Sequence, residues 1–200
     1  MKRFSLAALA AFALAGALAT APIAATPAIA AETYAIDVKG AHASINFRVK
    51  HLGYSWLTGR FDNFDGSFTF DKNNPAASKI NVVIETASVN SNHAARDKHL
   101  RSADFLNVAA HPKATFESTA IKVTGEDTAI ITGNFTFLGV TKPVEIEAKY
   151  IGGGKDPWGG FRQGFAGTTS FKMADFGMVK SLGPQSAVVE LDLHVEGIRQ

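Results

Sequence analysis

Ala187-Val188-Val189-Glu190-Leu191-Asp192-Leu193-His194-Val195-Glu196 decides the fold class. Ala187, Val189, Leu191, Leu193 and Val195 fall on one face of an extended chain. Glu190, Asp192, His194 and Glu196 fall on the other, which is the period of a strand with one buried side. The same period recurs upstream. Ser44 to Lys50 alternates polar and apolar, and Phe64, Gly66, Phe68 and Phe70 share a face. So do Ile80, Val82 and Ile84, then Ala129, Ile131, Phe135 and Phe137. Phe116, Ile121 and Val123 do so after a change of phase. Val144, Ile146, Ala148 and Tyr150 face away from Glu145, Glu147 and Lys149, and Phe161, Phe165, Phe171 and Met173 align. Phe61 is out of phase with Phe64, which predicts a bulge near Asp62-Asn63.

Turn-forming residues separate these segments at 71–75, 125–127 and 152–157. Eight one-faced strands at hairpin spacing predict an antiparallel sheet, and curling it shut removes its exposed edges. The reading is all-β: an extended eight-stranded antiparallel β-barrel with one short helix near residues 94–101. That helix lies within Asn92 to Leu106, with Asn92 as its cap. Leu100 and Phe105 point inward, and Arg96, Asp97, Lys98 and Arg101 stay in water.

The first thirty residues read as a secretory signal peptide. Met1-Lys2-Arg3 is a positive start, Phe4 to Leu18 is uncharged and apolar, and Ala28-Ile29-Ala30 is a small-x-small cleavage signal. The apolar run is short for a bilayer span, which takes about 20 residues. Cleavage near Ala30 is expected to leave 31–200 as one exported, periplasmic domain. Losing Lys2 and Arg3 leaves eighteen basic against eighteen acidic side chains. Such a balanced surface predicts no nucleic-acid partner and no strong electrostatic pull toward a membrane, so any membrane contact would be transient. There is no cysteine, so the domain is held by its core and carries no thiolate metal site or cysteine nucleophile.

Catalytic signatures are missing. No Gly-x-Ser-x-Gly, His-Glu-x-x-His or phosphate-binding loop occurs, and Asp175-Phe176-Gly177 stands without the rest of a kinase. The six histidines show no tight ligand spacing and read as hydrogen-bonding groups at strand ends, so neither a metal site nor a catalytic residue is assigned. Thirteen phenylalanines remain after the leader. An eight-stranded barrel is just wide enough for packed side chains or one small ligand, and composition leaves both open.

The motifs resemble the YceI-like family of exported polyisoprenoid-binding proteins. The resemblance runs from Tyr34-Ala35-Ile36-Asp37 and His42-Ala43-Ser44-Ile45-Asn46-Phe47 through Val49-Lys50-His51-Leu52-Gly53, Gly59-Arg60-Phe61 and Phe64-Asp65-Gly66. Its most specific block is Arg96-Asp97-Lys98-His99-Leu100-Arg101-Ser102 with Asp104-Phe105-Leu106. His111-Pro112, Thr115-Phe116-Glu117-Ser118, Gly139-Val140-Thr141-Lys142-Pro143-Val144 and Asp175-Phe176-Gly177 follow in order. The resemblance implies a lipocalin-like barrel whose apolar pore holds a polyprenyl lipid or isoprenoid quinone, with no other cofactor required. Met173-Ala174 stands where the family usually has Arg-Ser, and Met173 suits an apolar wall.

The expected ligand-binding lining is Phe47, Phe68, Phe70, Phe116, Phe135, Phe137, Phe165, Phe171, Met173, Val189 and Leu191, with Leu100 and Phe105 closing one end. His99, Arg101 and Asp104 are the head-group candidates near the mouth. The rival readings are a stress-response protein with a filled core and a lipid-modifying enzyme. The second needs an inward acid or base, whereas Glu85, Glu145, Glu147, Glu190 and Asp192 fall opposite the apolar face. An exposed strand edge leaves a homodimer open.

Overall fold

The structure is a computed structural model and describes residues 31–200; the expected signal peptide lies outside the described residues. Eleven strands form one antiparallel sheet. They are β1 (Glu32–Ile36), β2 (Ser44–His51), β3 (Ser55–Phe61), β4 (Phe64–Phe70), β5 (Lys79–Glu85) and β6 (Val89–Asn90). After helix α1 (Ala94–Leu100) come β7 (Lys113–Val123), β8 (Thr128–Phe137), β9 (Val140–Lys155), β10 (Phe161–Lys172) and β11 (Val188–Arg199).

Eight of them close a barrel in the order β1-β4-β5-β7-β8-β9-β10-β11, and β1 pairs back onto β11. The same edge of β11 serves two partners. Gly197 to Arg199 pair with β1, and Val189 to His194 pair with β2. An extension, β2-β3-β6, therefore branches from the wall.

The barrel has eight strands as expected, but they are not the eight alternating segments. The short β1 closes the ring, whereas the well-patterned Ser44–His51 lies in the extension. The bulge expected at Asp62-Asn63 is instead the turn between β3 and β4. There Asp62 N–H donates to Ser88 O (3.1 Å) and Asn63 O accepts from Glu85 N–H (3.0 Å), so the chain leaves one strand and enters another. The phase change in 113–124 is a register shift between Ser118 and Ala120. The helix ends at Leu100, and its cap is His93, whose Nδ1 accepts from Arg96 N–H at 3.2 Å. Asn92 has a φ of 61°, a turn conformation that an asparagine tolerates better than most residues.

Two apolar clusters occupy the barrel. Near the ends of β8 and β10, Phe135, Phe137, Phe171 and Phe176 pack ring to ring with centroids 5.1–5.9 Å apart. Val89, Leu106 and Ala114 complete that closed end. Toward the other end Tyr34 stacks on Phe68 (5.1 Å), and Phe165 meets Phe68 and Phe70 edge-on. The Phe68 ring lies across Gly197, where a Cβ would sit 2.4 Å from Cε1, so only glycine lets the ring fold flat onto β11.

Candidate functional site

Between the two clusters the barrel holds an apolar cavity of about 330 Å³. Its walls are the inward faces that alternation places together, among them Ile80, Val82, Ile131, Ile146, Leu193 and Val195. It opens between the β4–β5 connection (Lys72, Pro75, Ser78) and the β7–β8 turn (Gly125 to Thr128), which form a rim. Charged side chains reach it only there, through Lys72, Glu126 and Asp127.

Of the side chains expected to line a pore, the structure brings Phe68, Phe70, Phe116, Phe135, Phe165, Phe171 and Leu191 to this cavity. The remainder lie elsewhere. The Phe47 ring covers its cross-strand neighbour Gly59, where a Cβ would sit 2.3 Å from its Cζ, and faces an outer groove. Phe137 is consumed in the closed-end ring cluster, and Met173 is buried in the turn after β10. Val189 lies beside Val49 of β2, outside the lining. Leu100 and Phe105 pack at the closed end and do not reach the cavity.

The head-group candidates lie away from the rim. His99, Arg101 and Asp104 sit at the closed end, opposite the rim, and each is engaged by the protein. His99 Nε2 lies 2.9 Å from the Asp104 carboxylate, a hydrogen bond that holds that carboxyl below its usual range. Arg101 donates to Ala87 O (2.7 Å) and Val89 O (2.8 Å), pinning β6. Arg96 and Asp97, from the same block, both grip Ser91. Burial pushes the Asp97 carboxyl up, but the Ser91 hydrogen bonds with Arg101 and Arg96 bring it below its ordinary value. The block's polar pattern is that of a structural clasp.

Sequence reasoning missed the rim. Ser78 is a residue of that rim, and its Oγ is buried with no hydrogen-bond partner. A buried hydroxyl without a partner is costly, and a ligand's polar end would relieve it. Nothing in a loop serine's sequence context announces this.

A charged knot on the barrel's outside joins β1, β10 and β11. Arg162 donates to Asp156 (2.9 Å), Asp37 (2.7 Å) and Glu196 (2.6 Å), and His42 Nδ1 lies 2.9 Å from Asp37. Asp37, His42 and Glu196 would suit a cation by spacing, but the Arg162 guanidinium already supplies the positive charge between the two carboxylates. The hydrogen bond from His42, then that from Arg162, holds the Asp37 carboxyl down at about 2 against a reference of 3.8, although burial opposes this. A depressed carboxyl stabilises the fold above its unfolded pKa and loses that contribution as pH falls through the folded one. Thermal melts are therefore expected to show stability falling as pH drops from about 4 to about 2. Asp37→Asn is expected to flatten that fall and lower stability at neutral pH.

On the outside, an open polar groove of about 1390 Å³ crosses β2, β3, β9, β10 and β11. The pairing of β9 with β10 ends at Glu147–Thr168, and the Thr169 hydroxyl then donates to Glu145 O at 2.6 Å. Beyond that point Val144, Thr169, Phe171 and Leu191 line both the inner cavity and the outer groove, so the wall there is one side chain thick. Pro143 still pairs with Asn134 of β8, so only the β10 side of β9 is an open edge there, a place where a residue without an N–H is tolerated.

The family model of the YceI-like domain matches residues 34–197. A UPF0312 protein of Ectopseudomonas mendocina is 64% identical over 170 residues, covering 85% of this chain and 89% of the relative. The crystal structure of Burkholderia cenocepacia BcnA superposes with a TM-score of 0.70 at 22% identity, over 80% of this chain and 98% of that one. A polyisoprenoid binding domain from Saccharophagus degradans, implicated in plant cell wall breakdown, superposes with a TM-score of 0.61 at 18% identity, over 84% and 98% of the two chains.

Proposed function

The chain belongs to the YceI-like family, and from that premise we propose that its barrel binds the prenyl chain of a polyisoprenoid lipid or isoprenoid quinone and carries it through the periplasm without chemical change. The observation that carries this reading is the apolar cavity kept open between two aromatic clusters. The polyisoprenoid binding named for the Saccharophagus domain of the same architecture supports the ligand class. The wall supports binding over catalysis, since away from the charged rim its hydroxyls are those of Thr69, Thr169 and Tyr150, and the Tyr150 hydroxyl is engaged in donating to Gln163 Oε1 at 3.0 Å.

Magnitudes set what the cavity prefers. Its 330 Å³ is at the small end of ligand pockets, which run about 300–1,000 Å³. Burying on the order of ten methylene groups gains about 8 kcal/mol at about 0.8 each. Association costs about 4–15 kcal/mol, so a short prenyl chain binds weakly. A longer chain that also covers the rim gains more, and affinity rises with chain length until the apolar wall is used up. The polar end then lies by Ser78 and Lys72.

The test is mass spectrometry of an organic extract from the purified protein. A prenyl lipid near one per chain is the expected result, and an empty extract would favour the filled barrel. Incubation that converts the extracted lipid to a product would restore the enzyme reading. Ser78→Ala is expected to weaken binding about five-fold, the worth of one hydrogen bond of about 1 kcal/mol, in a competition assay with the extracted lipid.

A further inference from the structure

Nine large apolar side chains are exposed among the described residues, and six of them collect at the closed end: Leu52, Tyr54, Trp56, Val179, Leu182 and Val188. Register brings them together with cations. Lys172 of β10 pairs with Val188 of β11, and Lys50 of β2 pairs with Trp56 of β3. Since Val189 pairs with Val49, the outer face reads Lys172, Val188, Lys50, Trp56 across four strands. Arg48 and Lys50 lie over the Trp56 ring at 4.6 and 5.5 Å.

Below this row is the β2–β3 tip, with Leu52 half exposed and Tyr54 86% exposed. The tip is fastened to the segment before β11 by Leu52 N–H donating to Ser186 Oγ at 3.3 Å. Lys180 N–H donates to Asp104 O at 3.1 Å and so fixes the loop that presents Val179, 83% exposed. Lys50, Lys172 and Lys180 make no ion pair among the described residues, whereas Arg48 is neutralised by Glu190 at 2.6 Å.

We propose that this closed-end face docks on a membrane of anionic phospholipids. Leu52, Tyr54 and Val179 enter the headgroup layer, Trp56 lies at its boundary, and the three lysines meet lipid phosphates. Aromatic rings with flanking lysines are the composition that an interface between water and acyl chains selects. A second copy fits less well. A two-fold contact sets the same patch against itself, so it would oppose unpaired lysines, even though the edge of β3 away from β2 lacks a strand partner from Ser55 to Thr58. The inference stands whether or not the cavity takes a prenyl chain. Docked this way, the rim faces away from the bilayer, and the thin wall between β9 and β10 stands beside it.

The experiment is flotation of protein expressed from the full chain, its N-terminus read by mass spectrometry. Vesicles of phosphatidylethanolamine with phosphatidylglycerol are compared with phosphatidylcholine alone. The protein is expected to float with the anionic vesicles only. In a Trp158→Phe background Trp56 is the remaining tryptophan, and its emission is expected to shift blue and be quenched by lipids brominated on the acyl chain. Lys50→Gln with Lys172→Gln is expected to lower the partition coefficient about thirty-fold, the effect of two surface lysines, with an unchanged circular dichroism spectrum. Flotation that these variants do not weaken, or quenching of Trp158 in a Trp56→Phe background instead, would overturn the proposal. So would failure to float together with a concentration-dependent dimer that Trp56→Ser abolishes.

Discussion

Ile146→Trp and Leu191→Trp are each expected to empty the barrel of prenyl lipid while leaving it folded. Both side chains line the cavity. Ile146 pairs with Ile131 across β8–β9 and lies against Gly167, where a Cβ would come within 2.8 Å of its Cγ2. An indole at either position points into the 330 Å³ that a ligand would use. Excluding about four methylene groups removes about 3 kcal/mol of burial, which is more than a hundred-fold in affinity. Enlarging a side chain in a solid core costs about 1–3 kcal/mol, because neighbours must move. Enlarging one beside a void need not, and filling a cavity commonly adds about 0.5–2 kcal/mol. The two measurements therefore separate the readings. A hollow barrel gives a melting temperature held or raised with no lipid in the extract. A filled barrel gives a lowered melting temperature and an extract no different from the parent's.

Much of this wall is legible in alternation. Ile80, Val82, Ile131, Val144 and Ile146 fall on the apolar face of their strands by count alone, and all of them line the cavity. The closure of the ring is less legible. Glu32–Ile36 is too short to show a period, yet it takes the place in the barrel that Ser44–His51 would claim on pattern. Pattern reports that a face is buried, not against which strand. The same limit misplaces Phe47 and Phe137. Both fall on the apolar face of their strands, but one spends its ring on Gly59 and the other on Phe135, the latter pair with centroids 5.6 Å apart. Phenylalanine count therefore marks the ends of the cavity as much as its walls. The rim and the charged knot are beyond local reading, because Arg162 and Asp37 are partners far apart in sequence and only the fold sets Ser78 opposite the β7–β8 turn.

Phe176→Ala is expected to produce the largest loss of stability of any single change considered. The ring is 1% exposed and meets Phe171 at 5.1 Å, Phe135 at 5.4 Å and Phe137 at 5.9 Å. Truncating a buried phenylalanine costs about 3–5 kcal/mol, and edge-to-face partners are lost with it. For a domain of this size that lowers the melting temperature by on the order of 10–15 °C, read by calorimetry. The adjoining Gly177 has a φ of 76°, so it ends the turn in the left-handed region that turns the chain away once the ring is seated. Gly177→Ala is expected to cost only about 1 kcal/mol, since its backbone conformation is strained but nothing is unpacked. Asp175-Phe176-Gly177, which stands in the sequence without the rest of a kinase, is a plug and the turn that sets it. Equal losses from the two substitutions would contradict that division, and a small loss from Phe176→Ala would mean that the closed end is held by Leu106 and Val89 without it.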